Sequence, residues 1–584
     1  MENNQLRPLI DTALGKEKAD LAIINGSLVN VYTGELQKHI GVAIKGERIA
    51  YVGPEPDHTI GPETKVIDAL GKVLIPGFID GHTHIDSICS ISEVIRYTLP
   101  TGTTTVITET SGIGSVLGYP GLLQFVENLR DQPMLVYALS PSEVPISPDF
   151  ESSSLFLPEQ AEALLQLPEM VGTGEAFWPR VIDADPIVLD VIDSSLKTRK
   201  PAQGHSAGAR GMKLAAYIAA GIASCHEPIT VDEAVDRLRL GMHVMIREGS
   251  VRQDLEAVAP IKDLDVDLRR LILASDCVWP QELISQGYMD HIVQKAIDLG
   301  FHPITAIQMA TLNVAEHFGL DLLIGGIAPH RYANINIIPD IETIKPERVI
   351  SKGRVVAANG KLLVPPRKDY YPVPMKQTVH LPRKMSAEDF QIEAPASQVE
   401  ARVITVVRDM ITGELLADLH APDGMIHADP RNDILKVTLI NRHDGRGQKF
   451  VGLIHGFGLR AGAYAATLSW DTNNLIAVGA DDTDMATAVN RIHELQGGVV
   501  LCQDGIIYEE IPLPIGGIIS ELPMEEIVPR LKRIDEKLRE LGTTLSNPFL
   551  SLQTLVFTPL PFLRITEHGI LDVRQKKIMS LFIE

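Results

Sequence analysis

Two histidines one residue apart follow a short apolar run early in the chain. The stretch PGFIDGHTHID, residues 76–86, places His82 and His84 where a buried strand would end. Alternate residues of a strand point to the same side, so both imidazoles can face one site. Imidazole is a common ligand of Zn, Fe(II) and Mn(II), and the pair therefore predicts part of a metal centre.

Four further residues of metal-binding types also end apolar runs: Glu175 in VGTGE, His205 in AQGH, His226 in IASCH and Asp276 in LILASD. Any one of them alone would more often be a hydrogen-bonded structural residue. Together with the histidine pair they favour a metal centre. A divalent cation with an open position lowers the pKa of a bound water to about 7, and Asp276 could act as general base and then as general acid.

The segments around these residues predict a (β/α)8 barrel. Eight apolar runs alternate with helix-like or irregular sequence over residues 76–324, from the run before His82 to LILASDC. In such a barrel the C-terminal ends of all strands surround one mouth, which would bring the six residues together. A doubly wound open sheet is the alternative that the pattern leaves open.

The sequences on either side of the predicted barrel indicate two further domains, as expected for a chain too long for one core. Residues 1–75 and 325–365 contain short strand-like runs and turns, and we expect one small discontinuous β-sandwich domain. Residues 380–584 alternate strand-like and helix-like stretches. The complete prediction is an α/β protein with a TIM-like barrel, this β domain and an α/β C-terminal domain.

Charge and composition restrict the partners. The net charge of −22 over 584 residues argues against a nucleic acid or an anionic membrane surface. No run approaches the ~20 apolar residues of a membrane span, and the first residues lack a signal-peptide pattern. The 4 cysteines form no CxxC pair, which suits a reducing compartment. We therefore expect a cytoplasmic enzyme with neither nucleic acid nor membrane as a partner.

Several longer stretches resemble the adenine deaminase family of the metal-dependent amidohydrolase superfamily. They include PGFIDGHTHID, GHSAGARGMKLAAYIAAGIASCHEPIT, HIVQKAIDLGFHPITAIQMATLNVAEHFGL, INRHDG, DDTDMATAVNRI and IPLPIGGIIS. The HxH pair alone is typical of the whole superfamily, whereas the full set is specific to the family. The resemblance spans nearly the whole chain and implies hydrolysis of adenine, a small-molecule purine, to hypoxanthine and ammonia.

The resemblance also assigns roles to the predicted ligands. Glu175 would bridge two divalent metal ions, each of which would also be held by a pair of histidines, His82 with His84 and His205 with His226. Asp276 would bind metal and shuttle the proton while hydroxide attacks C6 of the purine, with His226 as a second catalytic residue. The family's metal is usually Mn or Fe(II), with Zn as an alternative. A homo-oligomer is expected for a chain of this kind.

Two segments depart from the family's pattern. ETSG, residues 109–112, stands where the family carries DPHE, and WDTNN, residues 470–474, stands where it carries HDSHN. If the replaced groups meet in the fold around a substrate or an additional metal, their joint absence indicates a coordinated change. Four residues near the predicted centre are expected to bind substrate: Ser111, Glu143, Arg247 and Glu248.

Two other functions stay open from the sequence. A cyclic amidohydrolase acting on an amide or imide ring would use the same hydroxide attack on a trigonal carbon. A catalytically weak metal-binding paralogue is the third interpretation. Asp276 argues against the paralogue, because a structural metal site has no need of a proton shuttle.

Overall fold

A closed (β/α)8 barrel forms the middle of the chain in the computed structural model, which describes residues 6–583. The first five strands form one parallel sheet and the last three another. Backbone hydrogen bonds from Ala223 N to Ala202 O and from Asp276 N to His82 O, both 2.9 Å, join the two sheets. The predicted barrel is confirmed. Its strands are β1 (Phe78–Thr83), β2 (Thr103–Thr108), β3 (Leu135–Ser140), β4 (Met170–Phe177), β5 (Ala202–His205), β6 (Ser224–Cys225), β7 (His243–Arg247) and β8 (Leu271–Ala274).

Helices follow every strand of the barrel and cover its outer surface. They are α1 (Ile91–Thr98), α2 (Ser111–Leu129), α3 (Pro158–Leu165), α4 (Trp178–Ile182), α5 (Pro186–Lys197), α6 (Gly211–Ala219), α7 (Val231–Arg239), α8 (Leu255–Val258), α9 (Pro280–Ser285), α10 (Met289–Asp298), α11 (Pro303–Met309) and α12 (Leu312–His317). Across residues 6–583, no helix combines the length and the apolar character that a membrane crossing requires.

The inside of the barrel is a packed core beneath the mouth. β2 and β8 are buried along their whole length, as expected for parallel strands covered by helices. Side chains from six strands meet in one apolar cluster: Ile79, Ile107, Leu139, Val171, Met245 and Ile272. Polar side chains that follow these strands are therefore held on top of a rigid apolar floor.

Strands from both flanks of the barrel share a nine-stranded sheet. Val73–Pro76, just before the barrel, pairs antiparallel with Ile335–Ile338, just after it. The helix Leu6–Ala13 precedes this sheet. The remaining strands of the sheet are Leu21–Asn30, Glu35–Lys45, Arg48–Gly53, Lys65–Asp68, Arg348–Ser351, Arg354–Ala358 and Lys361–Leu362.

The C-terminal part of the chain is built on an eight-stranded sheet. Its strands are Gln398–Arg408, Ile411–His420, Leu435–Ile440, Lys449–His455, Ala463–Ala466, Leu475–Gly479, Gly498–Gln503 and Ile506–Pro512. Smaller sheets contain Ile392–Glu393 with Met425–Ile426, and Leu563–Thr566 with Gly569–Asp572 and Lys577–Met579. The helices are Asp482–Leu495, Met524–Glu540 and Pro548–Thr554.

This C-terminal domain is bonded to the loops at the barrel mouth. Ile88, which follows β1, donates its backbone N–H to Ile518 O at 2.7 Å, and Ser520 N donates back to Ile88 O at 2.9 Å. Asn474 Nδ2 donates to Ser152 O, beyond β3, at 3.0 Å. The domain is therefore held against the end of the barrel at which the predicted site residues emerge.

Arg564 is a buried cation that holds three backbone carbonyls of the C-terminal domain. Its guanidinium donates to the carbonyl oxygens of Met410, Leu560 and Pro561 at 2.7, 3.1 and 2.8 Å, and burial lowers its pKa to about 9. Arg564→Met leaves these acceptors unpaired, which costs about 1–3 kcal/mol for a buried group. We expect the free energy of unfolding to fall by about 2–4 kcal/mol, as measured by denaturant titration.

The matched control for this change is Arg431→Met, because Arg431 is exposed in the same domain. An exposed substitution of this kind changes stability by no more than about 0.5 kcal/mol. An Arg564→Met protein as stable as the control would show that the three carbonyls do not depend on the guanidinium.

Candidate metal centre

The six predicted ligands converge at the barrel mouth. Their candidate ligand atoms form two groups that share Glu175, and the atoms within each group lie within 4.8 Å of one another. The first group contains His82, His84, Glu175 and Asp276, and the second contains Glu175, His205 and His226. The strands thus bring together residues that lie far apart in the sequence.

Glu175 lies between two sets of histidines. Its Oε1 is 3.2 Å from Nε2 of His82 and 3.2 Å from Nε2 of His84. Its Oε2 is 2.9 Å from Nδ1 of His205, and Nε2 of His226 is 3.8 Å from Oε1. A carboxylate whose two oxygens face different imidazoles has the arrangement that a bridging ligand needs.

The charges in this cluster suit a bound cation. Burial lowers the pKa of His82, but hydrogen bonds to Asp276 and Glu175 outweigh burial and raise that pKa well above its usual value. Burial raises the pKa of Glu175, whereas His226 and the other histidines bring it well below its usual range. The carboxylates therefore attract positive charge into the cluster. The cluster offers four imidazoles and two carboxylates, the ligand types that suit Zn, Mn or Fe(II), and the residues fit a divalent metal.

The Asp276 carboxylate lies between two basic side chains, those of His82 and Arg247. Its Oδ1 is 3.3 Å from His82 Nε2, and its Oδ2 is 3.4 Å from Nη1 of Arg247. Although burial opposes them, these two neighbours lower the pKa of Asp276 below its usual range. Asp276 lies just after β8, and its φ of +62° is uncommon for a non-glycine residue. Asp276 is therefore an ionised carboxylate at neutral pH.

Glu109 and Glu227 belong to the centre, although the sequence predictions did not include them. Glu109 Oε1 is 3.6 Å from His82 Nδ1, and burial together with Glu175 raises its pKa to about 7. Glu227 Oε1 is 3.2 Å from His226 Nε2. Glu109 can orient the ring of His82, as outer carboxylates do for metal-binding imidazoles. Glu109 directly follows a strand-like run, and Glu227 directly follows the predicted ligand His226. Collecting the polar residues at strand ends could therefore have identified both glutamates.

Arg247 connects the carboxylates behind the centre. Its Nη1 is bonded to Glu227 Oε1, and its Nη2 is 2.9 Å from Asp254 Oδ2. These groups and Asp276 raise its pKa above the usual value in spite of burial. One guanidinium thus balances three acidic side chains, so Arg247 positions Asp276 as well as lining the cavity.

The four predicted substrate-binding residues have different surroundings. Ser111, Glu143 and Arg247 line the cavity above the cluster. Glu143 also accepts from Phe177 N at 2.6 Å and is 3.0 Å from Arg180 Nη1. Glu248 is not among the residues that line this cavity, and its Oε1 accepts from Lys295 Nζ at 2.7 Å.

The cavity has a volume of about 450 Å³, and the C-terminal domain forms one of its walls. That wall contains Met410, Ile411, Leu468, Trp470, Asp471, Asn473, Ile518, Gln553, Phe557, Pro559, Leu560 and Pro561. The two segments that differ from the family's pattern, residues 109–112 and 470–474, both line this cavity. They do so through residues that include Ser111, Gly112, Trp470 and Asn473. Asn473 Nδ2 also donates to Ser115 Oγ at 3.1 Å. The structure therefore brings the two altered segments together.

A parallel barrel that holds histidines and carboxylates at its mouth defines a metal-dependent hydrolase of the amidohydrolase class. The profile of the Amidohydrolase family matches residues 73–363, and that of the Adenine deaminase C-terminal domain matches residues 409–577. The adenine deaminase of Moorella thermoacetica is 40% identical to this chain over 98% of each. That of Clostridium botulinum is 37% identical over 99% of this chain and 98% of its own length. The chain belongs to the adenine deaminase family.

Proposed function

We propose that this protein hydrolyses adenine, or a closely related 6-aminopurine, to hypoxanthine and ammonia. The observation that carries the proposal is the cluster in which Glu175 is shared by two groups of metal-ligand residues at the floor of a cavity of about 450 Å³. Family membership and near full-length similarity to adenine deaminases support the same reaction.

The proposed centre holds two divalent metal ions, with Mn or Fe(II) as the first candidates and Zn as the alternative. Glu175 would be the ligand common to both, His82 and His84 would hold one, and His205 and His226 would hold the other. Burial and the nearby His82 lower the pKa of His226, which keeps it neutral as a ligand. A divalent cation at this position supplies a water of lowered pKa.

Asp276 is the proposed proton shuttle. It accepts a proton from the attacking water and returns it to the departing amine, as a general base and then a general acid. Arg247 keeps the carboxylate in place through its 3.4 Å contact. Ser111, Glu143 and Arg247 line the cavity and are the proposed substrate contacts. Glu248, the fourth residue predicted from the sequence, does not line the cavity and instead accepts a hydrogen bond from Lys295 Nζ.

A panel of substrates tests this proposal. Protein loaded with Mn, Fe(II) or Zn is incubated with adenine, ring-methylated adenines, 2,6-diaminopurine and cyclic imides, and ammonia and ring products are measured by enzymatic assay and chromatography. We expect hypoxanthine and ammonia in equal amounts from adenine. Turnover of cyclic imides alone would establish the amidohydrolase alternative, and metal binding without turnover would establish the paralogue.

We also propose that the protein is a cytoplasmic homo-oligomer. Its four cysteines are buried free thiols, which supports a reducing compartment. Exposed apolar side chains at Val407 and Ile506, which are 65% and 70% exposed, are candidates for burial between subunits. Size-exclusion chromatography with light scattering tests the assembly, and a mass of one 63.9 kDa chain would contradict it.

A further inference from the structure

Asp471 differs from the other carboxyl groups that line the cavity. The others are engaged by histidines, arginines or backbone amides: Asp86, Glu109, Glu143, Glu175, Glu227 and Asp276. Within residues 6–583 the Asp471 carboxyl is the cavity-lining acid for which neither a hydrogen bond nor an ion pair is formed. It is therefore available to a ligand.

The backbone around Asp471 is fixed against the barrel. Asn473 Nδ2 donates to the carbonyl oxygen of Asp471 at 3.0 Å and to Ser115 Oγ at 3.1 Å. Asn474 Nδ2 donates to Ser152 O at 3.0 Å. These bonds tie the segment to α2 and to the loop after β3, which fixes the backbone that carries the Asp471 carboxyl.

Gln553 is a second polar side chain that the C-terminal domain places at the cavity. It is 1% exposed, and its Oε1 is buried without a hydrogen-bond partner. Its backbone oxygen accepts from Trp470 N at 3.1 Å, which links it to the residue before Asp471. Its Nε2 forms no hydrogen bond within residues 6–583 and is not among the fully buried side-chain atoms, so it can donate to a ligand in the cavity.

The charges of the metal centre act on Asp471. Burial and Glu175 raise the pKa of Asp471 to about 7, while His84 and His205 lower it. Glu175, His84 and His205 line the same cavity. Asp471 therefore lines the same cavity as the cluster, on the wall that the C-terminal domain supplies.

We propose that Asp471 and Gln553 bind the imidazole edge of a free purine base, an inference that rests on the proposed function. A free base carries one ring N–H on this edge, which is lost when N9 is substituted, and its other ring nitrogens accept hydrogen bonds. The carboxylate of Asp471 accepts the ring N–H, and the carboxamide Nε2 of Gln553 donates to the neighbouring ring nitrogen. The C-terminal domain is then part of the substrate site, and it selects free bases over nucleosides.

Asp471→Asn tests this assignment because the amide keeps the shape of the side chain and removes its negative charge. We expect the Kd of metal-free protein for hypoxanthine, measured by calorimetry, to rise about 10–100-fold. In the metal-loaded enzyme kcat/KM for adenine should fall by a similar factor, mainly through KM. The preference for adenine over 9-methyladenine should shrink, because the substituted base lacks the ring N–H.

Gln553→Met is the second variant, and Asp444→Asn, an exposed position in the same domain, is the control. Wild-type hypoxanthine affinity in both test variants would overturn the recognition pair, even with ammonia release by the wild-type enzyme intact. Loss of metal from folded Asp471→Asn would overturn it as well, because Asp471 would then be a ligand. Failure of the wild-type enzyme to deaminate any purine would instead overturn the proposed function.

Discussion

Asp276→Asn is expected to lower kcat for adenine by about 10⁴-fold while the protein stays folded. Asp276 contacts both His82 and Arg247 at the cluster, and an amide in its place can neither accept the proton nor return it. The loss should appear in kcat rather than KM, because the shuttle acts on the reacting atoms. Steady-state ammonia release measures the effect, and circular dichroism and metal analysis establish that the fold and the metal are retained.

Asp267→Asn is the matched control for this change. Asp267 lies just before β8, whereas Asp276 lies just after it, and the Asp267 side chain is 56% exposed in a pair with Arg269. The control should keep wild-type kcat, because residues at that end of a barrel strand serve stability rather than catalysis. Full activity in metal-loaded Asp276→Asn would contradict the shuttle mechanism.

The barrel and its six converging residues could be predicted because both depend on local sequence. Most of the strands lie in apolar runs long enough to be buried on two sides, and a parallel barrel sends all strand ends to one mouth. His82, Glu175 and Asp276 come together for that reason alone. Glu109 follows β2 in the same way, so its position at a strand end was enough to predict that it reaches the mouth.

Arg247 and Glu248 show where strand-end reasoning fails. The two residues are adjacent, and successive side chains of a strand point to opposite sides. Arg247 consequently contacts Asp276, whereas Glu248 turns to Lys295 on α10. Spacing along the chain places both residues at the mouth, but the phase of the strand decides which of them faces the cavity.

The cavity wall from the C-terminal domain could not be predicted from local pattern. Asp471 and Gln553 reach the barrel only because the C-terminal sheet is bonded to loops such as that at Ile88. This packing depends on surfaces built from distant segments. The sequence indicated this contact in one way. Residues 109–112 and 470–474 both differ from the family's pattern, which suggested that the two segments meet in the fold.

Glu175→Gln is expected to reduce the metal content from about two ions per chain to about one or fewer, and kcat/KM by about 10³-fold or more. Glu175 is the residue shared by both groups of candidate ligands, so its replacement would weaken both of the proposed metal sites. The amide keeps the size of the side chain but supplies a single neutral oxygen in place of a charged bridging pair. Metal analysis by mass spectrometry and ammonia release measure the two effects on the same protein.

Glu169→Gln is the corresponding control. Glu169 directly precedes β4, the strand that carries Glu175, and its Oε1 is 2.7 Å from Arg130 Nε at the opposite end of the barrel. It should keep both metal ions and wild-type kcat/KM. A Glu175→Gln protein that retained two ions would show that the two histidine pairs bind metal independently, and one that retained one ion with full activity would assign the reaction to a single metal.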